Sequence, residues 1–467
     1  MTSRRRRTRG RGGLRAGARA AKPRGKPGGI TATRLPNGLT VILREMRQAP
    51  VVSVWCWYRV GSRDERPGIT GISHWVEHMN FKGTRTIPKK DITRLIELAG
   101  GTWNGYTWLD VTTYLETVQS DSLEAMLRLE ASRMTECLYS KTEVDRERTV
   151  VISELQGGEN DPRSFLEKEI SGTALQAHPY RWPTIGYLSD LQAITRDDLY
   201  AHYRRYYVPN NAILVVAGDF ATPEALRLVR RLFGRLPRGA DLPAVRTVEP
   251  RQEGERRLTL RRPSGAAYLD VAFHAPAVTD PDFAVMLALD GILAGGPTVN
   301  PWAGHGGRGS SKSSRLYRAL IEGNLASDVS TSVLPTRHPY LYRIAATAKE
   351  GVDPGRIEAA LSAEIDRLSK GDIPARDLER AVNQFQARYA LESESATDAA
   401  HQLGFFETVA SHTIFLDLPR RVAAVRVEDV ARLARARLRA DGRTVGILLP
   451  AGPSEVPAAG PSRGPRG

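Results

Sequence analysis

The chain has 467 residues, of which 41% are hydrophobic and 25% are charged, as is ordinary for a globular protein with more than one domain. No run of apolar residues approaches the length that crosses a bilayer, so no membrane span is expected. The net charge of +15 hints at a nucleic-acid partner, but 11 of the positive charges lie in residues 1–29, leaving only +4 for the rest of the chain. We therefore predict a nearly neutral body with a basic arm and expect no nucleic-acid partner.

Both ends of the chain are predicted to be disordered. Residues 1–29 contain nine Arg and two Lys with no acidic residue, and they lack the apolar segment of a secretory signal. Weak binding to anionic surfaces, a mitochondrial presequence and a wrongly chosen start codon remain open for this basic arm. Residues 451–467 are rich in Pro, Gly and Ala and form the second predicted tail.

The chain has two cysteines, Cys56 and Cys137, which are too few for a disulfide framework. Both lie among apolar residues, which favours buried free thiols, although the two could still pair with each other. Free thiols and the lack of a secretory signal together favour a cytoplasmic location.

Residues 30–240 are predicted to form a first domain in which strands and helices alternate. It begins with a hairpin around the turn Asn37-Gly38, and a strand dense in Val and Trp follows. The predicted strands cover residues 51–60, 102–108, 110–118 and 212–218, and the predicted helices begin after Gly71 and cover 89–98, 122–135, 140–155, 195–206 and 223–233.

Residues 256–450 repeat this broad order after a linker, rich in Pro and charged residues, predicted at residues 241–255. The predicted strands cover residues 258–260, 268–273, 340–346 and 444–449, and the predicted helices cover 283–293, 315–321, 356–368, 375–391, 396–409 and 427–439. The fold class is therefore α+β, with two similar mixed domains that suggest an internal duplication. The repeat is one of pattern and not of recognisable sequence.

The segment His74-x-x-Glu77-His78 carries the strongest chemical signal. On a helix the two histidines lie one turn apart on one face, where both can reach a single Zn²⁺. Glu77 lies beside them, where a carboxylate can take a proton from a metal-bound water. The order H-x-x-E-H is the inverzincin signature. Two unrelated histidines on an amphipathic helix are the alternative, because chance alone gives such a triplet in roughly one chain of this length in a hundred.

A zinc site needs a third ligand, and the helix predicted at 140–155 offers two carboxylates. Glu147 and Glu154 are seven residues apart and share one face. Glu154 falls in an apolar run, where a carboxylate is costly unless it is paired or bound to a metal. It is therefore the best third ligand and would leave a fourth position for water, while Glu147 would orient a histidine through a hydrogen bond. The alternative is two solvated glutamates in a charged helix.

Several motifs agree in order and spacing with a known family. His74-x-x-Glu77-His78 is followed by Phe81-Lys82-Gly83-Thr84 and, 76 residues after His78, by Glu154. The agreement continues through residues 99–114, His178-Pro179-Tyr180 and residues 206–219. This pattern resembles the pitrilysin, insulysin and mitochondrial processing peptidase family, and the length suits its short bacterial processing-peptidase-like branch.

The resemblance implies a fold and a site. The fold would be two homologous domains that form half of a clamshell, each a mainly antiparallel sheet covered by helices. One zinc ion per chain would be bound by His74, His78 and Glu154, with Glu77 as the general base and Glu147 as a support for the ligands. Asn104 and Thr107 would hold an extended peptide by β-addition. An ordinary strand or turn role for these last two residues is an equal alternative.

The second half departs from the family pattern. The family's substrate-holding Arg and Tyr fall at residues 316–327, where Leu320 or Ile321 replaces the Arg and Ser327 replaces the Tyr. The chain thus resembles the zinc-bearing member of family heterodimers. We predict a zinc endopeptidase for unfolded or short peptides that needs a related subunit without zinc, or a second copy as a homodimer. The alternative is a non-catalytic core or assembly subunit of the same fold.

Overall fold

The computed structural model describes residues 29–296, 299–300 and 310–451, so the predicted arm up to residue 28 and the predicted tail from residue 452 lie outside the described residues. The first half contains β1 (Ile30–Arg34), β2 (Thr40–Glu45), β3 (Val51–Tyr58), α1 (Ile72–Met79), α2 (Lys89–Leu98), β4 (Thr102–Thr107), β5 (Thr112–Gln119), α3 (Leu123–Glu136), α4 (Lys141–Asn160), α5 (Pro162–Ala174), α6 (Leu188–Ala193), α7 (Arg196–Tyr206), β6 (Ala212–Gly218) and α8 (Thr222–Phe233).

The second half contains β7 (Arg256–Arg262), β8 (Tyr268–Ala275), α9 (Asp282–Leu293), β9 (Ala326–Val333), β10 (Tyr340–Ala348), α10 (Pro354–Ser369), α11 (Ala375–Leu391), α12 (Ala396–Val409), α13 (His412–Ala423), α14 (Val427–Arg437) and β11 (Arg443–Pro450). The helix predicted at 315–321 includes a π-helix at Tyr317–Glu322. No described helix has the length and apolar content needed to cross a membrane.

The two sheets have the same strand order. The first runs β1-β2-β6-β3-β5-β4 and the second β7-β11-β8-β10-β9, so the second lacks only a counterpart of β1. In each sheet one pair is parallel, β2 with β6 and β7 with β11, and the other pairs are antiparallel. The predicted fold of two similar, mainly antiparallel α+β domains is confirmed, and the shared order supports a duplication.

The two halves exchange a helix. α5 of the first half packs on β8 and β11 of the second sheet, while α12 of the second half packs on β3 and β6 of the first. Trp55 and Trp57 of β3 lie 5.1 and 5.2 Å from the His401 ring of α12, measured between ring centroids. One apolar core therefore includes residues of both sheets. Residues 241–255 contain no helix or strand, and the predicted domain boundaries stay predictions.

Candidate metal centre

The helix α1 begins at a left-handed glycine and a buried carboxylate. Gly71 has φ +85°, and a Cβ at this position would lie 2.4 Å from the Ile185 carbonyl oxygen. The Glu65 carboxylate accepts hydrogen bonds from the amides of Gly71 at 2.7 Å and Ser73 at 2.9 Å. Burial raises the pKa of Glu65 to about 8. These contacts fix the first turn of α1, and sequence reasoning had assigned Glu65 no role.

His74, His78 and Glu154 converge on one point. The two Nε2 atoms are 3.2 Å apart, and Glu154 Oε2 lies 3.5 Å from His78 Nε2 and 3.8 Å from His74 Nε2. These three ligand atoms lie within 4.8 Å of one another, and no other such group of His, Cys, Asp or Glu occurs in the part of the chain that the structure describes.

The spacing of these atoms fits a zinc ion. With Zn–N distances near 2.0–2.1 Å, two nitrogens of a tetrahedral site lie about 3.3 Å apart. Burial, together with the charge of His78, lowers the pKa of His74 to about 3, so that this imidazole is neutral. Two imidazole nitrogens and one carboxylate oxygen at this spacing form a donor set that suits zinc.

Glu147 orients His78. Its Oε1 lies 2.9 Å from His78 Nδ1, and its Oε2 pairs with Lys82 Nζ at 2.5 Å. Burial raises the pKa of Glu147, but the hydrogen bonds from His78 and Lys82 outweigh it and lower the pKa overall. A carboxylate on Nδ1 keeps the proton there and leaves Nε2 free for a metal. Lys82 was noticed in the sequence only as part of a motif, without this role.

Glu154 lies in an apolar run of the sequence but is not buried. Its side chain is 46% exposed, so burial does not make a carboxylate costly at this position. Val150 is also exposed, at 43%, whereas the buried face of α4 is formed by Val144, Val151 and Leu155. Glu154 therefore lies at the surface beside the two imidazoles.

Glu77 is buried next to the three candidate ligands. Burial raises the pKa of its carboxyl to about 7, more than His78 and Thr107 lower it. Thr107 Oγ1 donates to Glu77 Oε2 at 3.0 Å. Gly105 also matters, because a Cβ there would lie 3.1 Å from Glu77 Oε1 and 2.8 Å from Phe81 Cζ. Thr107 and Gly105 thus define the space that Glu77 occupies, and sequence reasoning missed Gly105.

Asn104 lies on β4, at the edge of the first sheet. Its side chain is exposed, and its Oδ1 accepts from the Gly105 amide at 2.9 Å. Among the described residues, β5 pairs with one edge of β4 and no strand pairs with the other. This open edge belongs to the strand that also carries Thr107, next to Glu77.

The positions at which the family has its Arg and Tyr carry no cation in this chain. Leu320 is buried and Ile321 is half-buried. Ser327 is exposed and donates from Oγ to the Thr347 carbonyl at 3.3 Å.

Comparisons with known proteins identify the family of this chain. A family model described as insulinase, peptidase family M16, matches residues 40–187, and one described as the peptidase M16 inactive domain matches residues 193–385. The zinc protease PqqE of Helicobacter pylori is 27% identical over 89% of this chain and 92% of its own length. A probable mitochondrial-processing peptidase subunit beta of Arabidopsis thaliana is 26% identical over 86% of this chain and 75% of its own.

A solved structure has the same fold along nearly the whole chain. The crystal structure of a protease from Helicobacter pylori superposes with a TM-score of 0.84 at 25% identity, covering 91% of this chain and all of that one. The family predicted from the sequence is therefore confirmed. The chain belongs to the M16 peptidase family, the family of insulinase.

Proposed function

We propose that this chain is a zinc-dependent endopeptidase that hydrolyses unfolded or short peptides. The observation that carries the proposal is the convergence of His74, His78 and Glu154 within 4.8 Å, with the buried carboxyl of Glu77 beside them. Names of relatives such as zinc protease support the same chemistry.

Zinc would be held by His74 Nε2, His78 Nε2 and Glu154 Oε2, one ion per chain. Bound there, it would polarise a peptide carbonyl and lower the pKa of a water molecule. Glu77 takes the proton from that water and returns it to the leaving amine. Burial raises the pKa of this carboxyl above its ordinary value, which makes its carboxylate a stronger base. Thr107 holds the Glu77 carboxyl in place through its hydroxyl.

The substrate would bind as an added strand on the open edge of β4. Main-chain hydrogen bonds hold an extended peptide whatever its sequence, which suits unfolded or short substrates. Asn104, exposed on this strand, is the proposed side-chain contact, while Thr107 contributes its main chain because its hydroxyl is bonded to Glu77.

A second, related subunit without zinc would supply the missing Arg and Tyr. This part of the proposal rests on the residues that replace them, Leu320 or Ile321 and Ser327, none of which carries a charge. A homodimer is the other assembly that could complete the site. We further propose a cytoplasmic location, since Cys56 and Cys137 are buried free thiols.

The test is cleavage of unstructured peptides, followed by mass spectrometry, with wild type and Glu77→Gln. Each is assayed alone and with a related subunit that lacks the zinc motif, and zinc content is measured in parallel. We expect Glu77→Gln to keep its zinc and to cleave about 100- to 10,000-fold more slowly. The related subunit should increase wild-type activity.

Three results would overturn parts of this proposal. Undiminished cleavage by Glu77→Gln would reject the general base. Full activity of the single chain in a verified homo-oligomer would reject the heterodimer. Bound zinc without cleavage in any combination would favour a non-catalytic assembly subunit.

A further inference from the structure

The surplus of positive charge in the body of the chain lies in one short segment. Without the 11 cations of the basic arm, residues 30–467 carry 56 Lys and Arg against 52 Asp and Glu, a net charge of +4. Residues 222–238, which contain α8, hold five Arg and one Glu and therefore carry the same net charge of +4. The rest of the body is neutral overall, so its excess charge is concentrated at this segment.

The arginines of this segment face solvent. Helix α8 buries Ala225, Val229 and Phe233 against the first domain. Residues three and four positions apart share one face of a helix, so the arginines of α8 lie together on the opposite face. All five arginines of the segment are exposed, and they are Arg227, Arg230, Arg231, Arg235 and Arg238.

Only two of the five arginines have an acidic partner. Arg231 pairs with Glu124 at 2.7 Å, and Arg238 pairs with Asp241. The other three form no ion pair with any described residue, and they are Arg227, Arg230 and Arg235. An unpaired guanidinium keeps its charge and its five N–H donors available for an anionic partner.

The basic arm leaves the body beside α8. The Thr222 amide donates to Glu45 Oε1 at 2.7 Å, so the first turn of α8 lies at the end of β2. β1 begins at the same place, because Ile30 pairs with Arg44. The 11 cations of residues 1–29 are therefore attached next to the arginine face of α8, and both belong to one side of the molecule.

This side lies away from the candidate metal centre. β1 and β4 are the opposite edges of the six-stranded first sheet, and α1 packs on β4 and β5. With about 4.8 Å between neighbouring strands, the two edges are roughly 24 Å apart. A partner that binds at β1 and α8 would leave the open edge of β4 accessible.

The chemistry of this surface fits a layer of phosphate groups. Arginine binds phosphate with two parallel hydrogen bonds, and a polybasic segment gains affinity for anionic lipids with each cation near the bilayer surface. Phe233, the one aromatic residue of the segment, is buried, so the segment lacks the stacking surface that binds single-stranded nucleic acid. These features favour an anionic membrane surface over a nucleic acid.

We propose that the arginine face of α8 and the basic arm together form a surface that binds membranes containing anionic phospholipids. The binding is peripheral, because no large apolar side chain of residues 222–238 is exposed for insertion into a bilayer. It is also reversible and weakens with salt, because exposed charges are screened beyond about 10 Å at 0.1 M ionic strength.

Co-sedimentation of the full chain with vesicles tests the proposal. Wild type should bind vesicles of phosphatidylcholine and phosphatidylglycerol at low salt and should not bind vesicles of phosphatidylcholine alone. The variant Arg227→Gln/Arg230→Gln/Arg235→Gln removes the three unpaired charges. Each cation near an anionic bilayer contributes about 1 kcal/mol, or about fivefold in affinity, so this variant should bind about 10- to 100-fold more weakly.

The matched control removes three charges elsewhere. Arg94, Arg356 and Arg376 are exposed, lie on α2, α10 and α11, and form no ion pair with any described residue. Arg94→Gln/Arg356→Gln/Arg376→Gln has the same net charge as the α8 variant and should bind vesicles as wild type does. An equal loss of binding in both triple variants would overturn the proposal, because net charge alone would then explain the binding.

A second variant tests the arm. Arg4→Gln/Arg5→Gln/Arg6→Gln/Arg7→Gln should also weaken binding to the mixed vesicles, since the arm belongs to the same surface. Wild-type affinity in this variant would overturn the joint surface, as would a failure of wild type to bind the mixed vesicles. Release of the bound protein by a mixed-sequence RNA at equal phosphate concentration would instead assign the surface to nucleic acid.

Discussion

The helix that follows β3 in the first sheet and the helix that follows β8 in the second occupy equivalent places but differ in access. In α1, His74 and His78 keep 17% and 15% of their side chains exposed. In α9, every residue after Asp282 is buried. In the second half, α13 packs on both α9 and α11, which correspond to α1 and α4. The first half has α6 in the place of α13, and this helix of only six residues packs on α4.

Each of these helices also buries an acidic residue. Burial raises the pKa of Glu77 in α1 to about 7 and that of Asp290 in α9 to about 6. Asp290 Oδ1 accepts a hydrogen bond from the Tyr342 hydroxyl, whereas Glu77 lies beside two imidazoles. The comparison teaches that the duplicated topology does not provide a site by itself. Chemistry requires an accessible helix face and the right side chains on it.

Glu65→Ala should give the largest effect on the first half. The change leaves the buried amides of Gly71 and Ser73 without an acceptor, which costs about 2–5 kcal/mol of unfolding free energy in total. Denaturant unfolding measures this loss, and zinc affinity should fall with it because α1 carries two ligands. Glu65→Gln, which keeps one acceptor oxygen, should lose less. A fully stable Glu65→Ala variant would show that α1 does not depend on this carboxylate.

Asp290→Asn, in the second half, should increase the free energy of unfolding, whereas Glu65→Ala should decrease it. Because burial raises the pKa of Asp290 from 3.8 to about 6, ionisation costs the folded state stability as the pH rises from about 4 to about 6. Asn avoids this cost and keeps an oxygen for Tyr342, so the variant should be up to about 3 kcal/mol more stable at pH 7 and similar to wild type at pH 4. Denaturant midpoints at both pH values test this.

An equal gain at pH 4 and pH 7 would contradict the ionisation of Asp290 as the cause. A loss of peptide cleavage in Asp290→Asn would contradict the view that Asp290 takes no part in the chemistry of the first half.

Gly105→Ala should reduce cleavage about 100-fold while zinc content stays unchanged. The added methyl group would lie 3.1 Å from Glu77 Oε1 and 2.8 Å from Phe81 Cζ, so it displaces the base, and displacement by about 1 Å costs this much. Gly157→Ala in α4 is the control, because its methyl group would meet no atom within 4 Å. Wild-type rates of cleavage in Gly105→Ala would show that the added methyl group does not displace Glu77.

Glu147→Gln should weaken zinc binding about 10- to 100-fold, since it removes the carboxylate that holds the His78 ring. Competition with a chelator measures the affinity. Glu143→Gln on the same helix is the control, because Glu143 pairs with Lys89 and Arg146 and not with a candidate ligand. Equal zinc affinity in Glu147→Gln and Glu143→Gln would show that Glu147 has no part in the site.

Much of the fold could be predicted from local patterns, because β-branched runs and apolar periodicity mark most of its strands and helices. α5, α6, α13 and β9 were missed. α13 contains Pro419, which normally ends a helix, and β9 alternates small polar residues with few apolar ones. α5 carried a signal, Asp161 as the N-cap before Pro162, but its apolar face covers the other half's sheet. The exchange of helices depends on tertiary packing, which no local sequence pattern encodes.

The candidate ligands and the support from Glu147 were predictable for a similar reason, whereas the roles of Glu65, Gly105 and Lys82 were not. His74 and His78 are spaced one helical turn apart, so the sequence alone aligns them. Glu65 and Gly105 act through contacts with α1 that depend on how separate segments pack. Lys82 stands close to His78 in the chain, but its role depends on Glu147, 65 residues later.

The most direct test of a metal centre in only one of the two halves is the zinc count per chain by native mass spectrometry. Wild type is compared with the double variant His74→Ala/His78→Ala and with Glu154→Ala. We expect one zinc ion on wild type, none on the double variant and a much weaker, substoichiometric occupancy on Glu154→Ala. One zinc ion retained by the double variant, or none on wild type after zinc loading, would contradict the account.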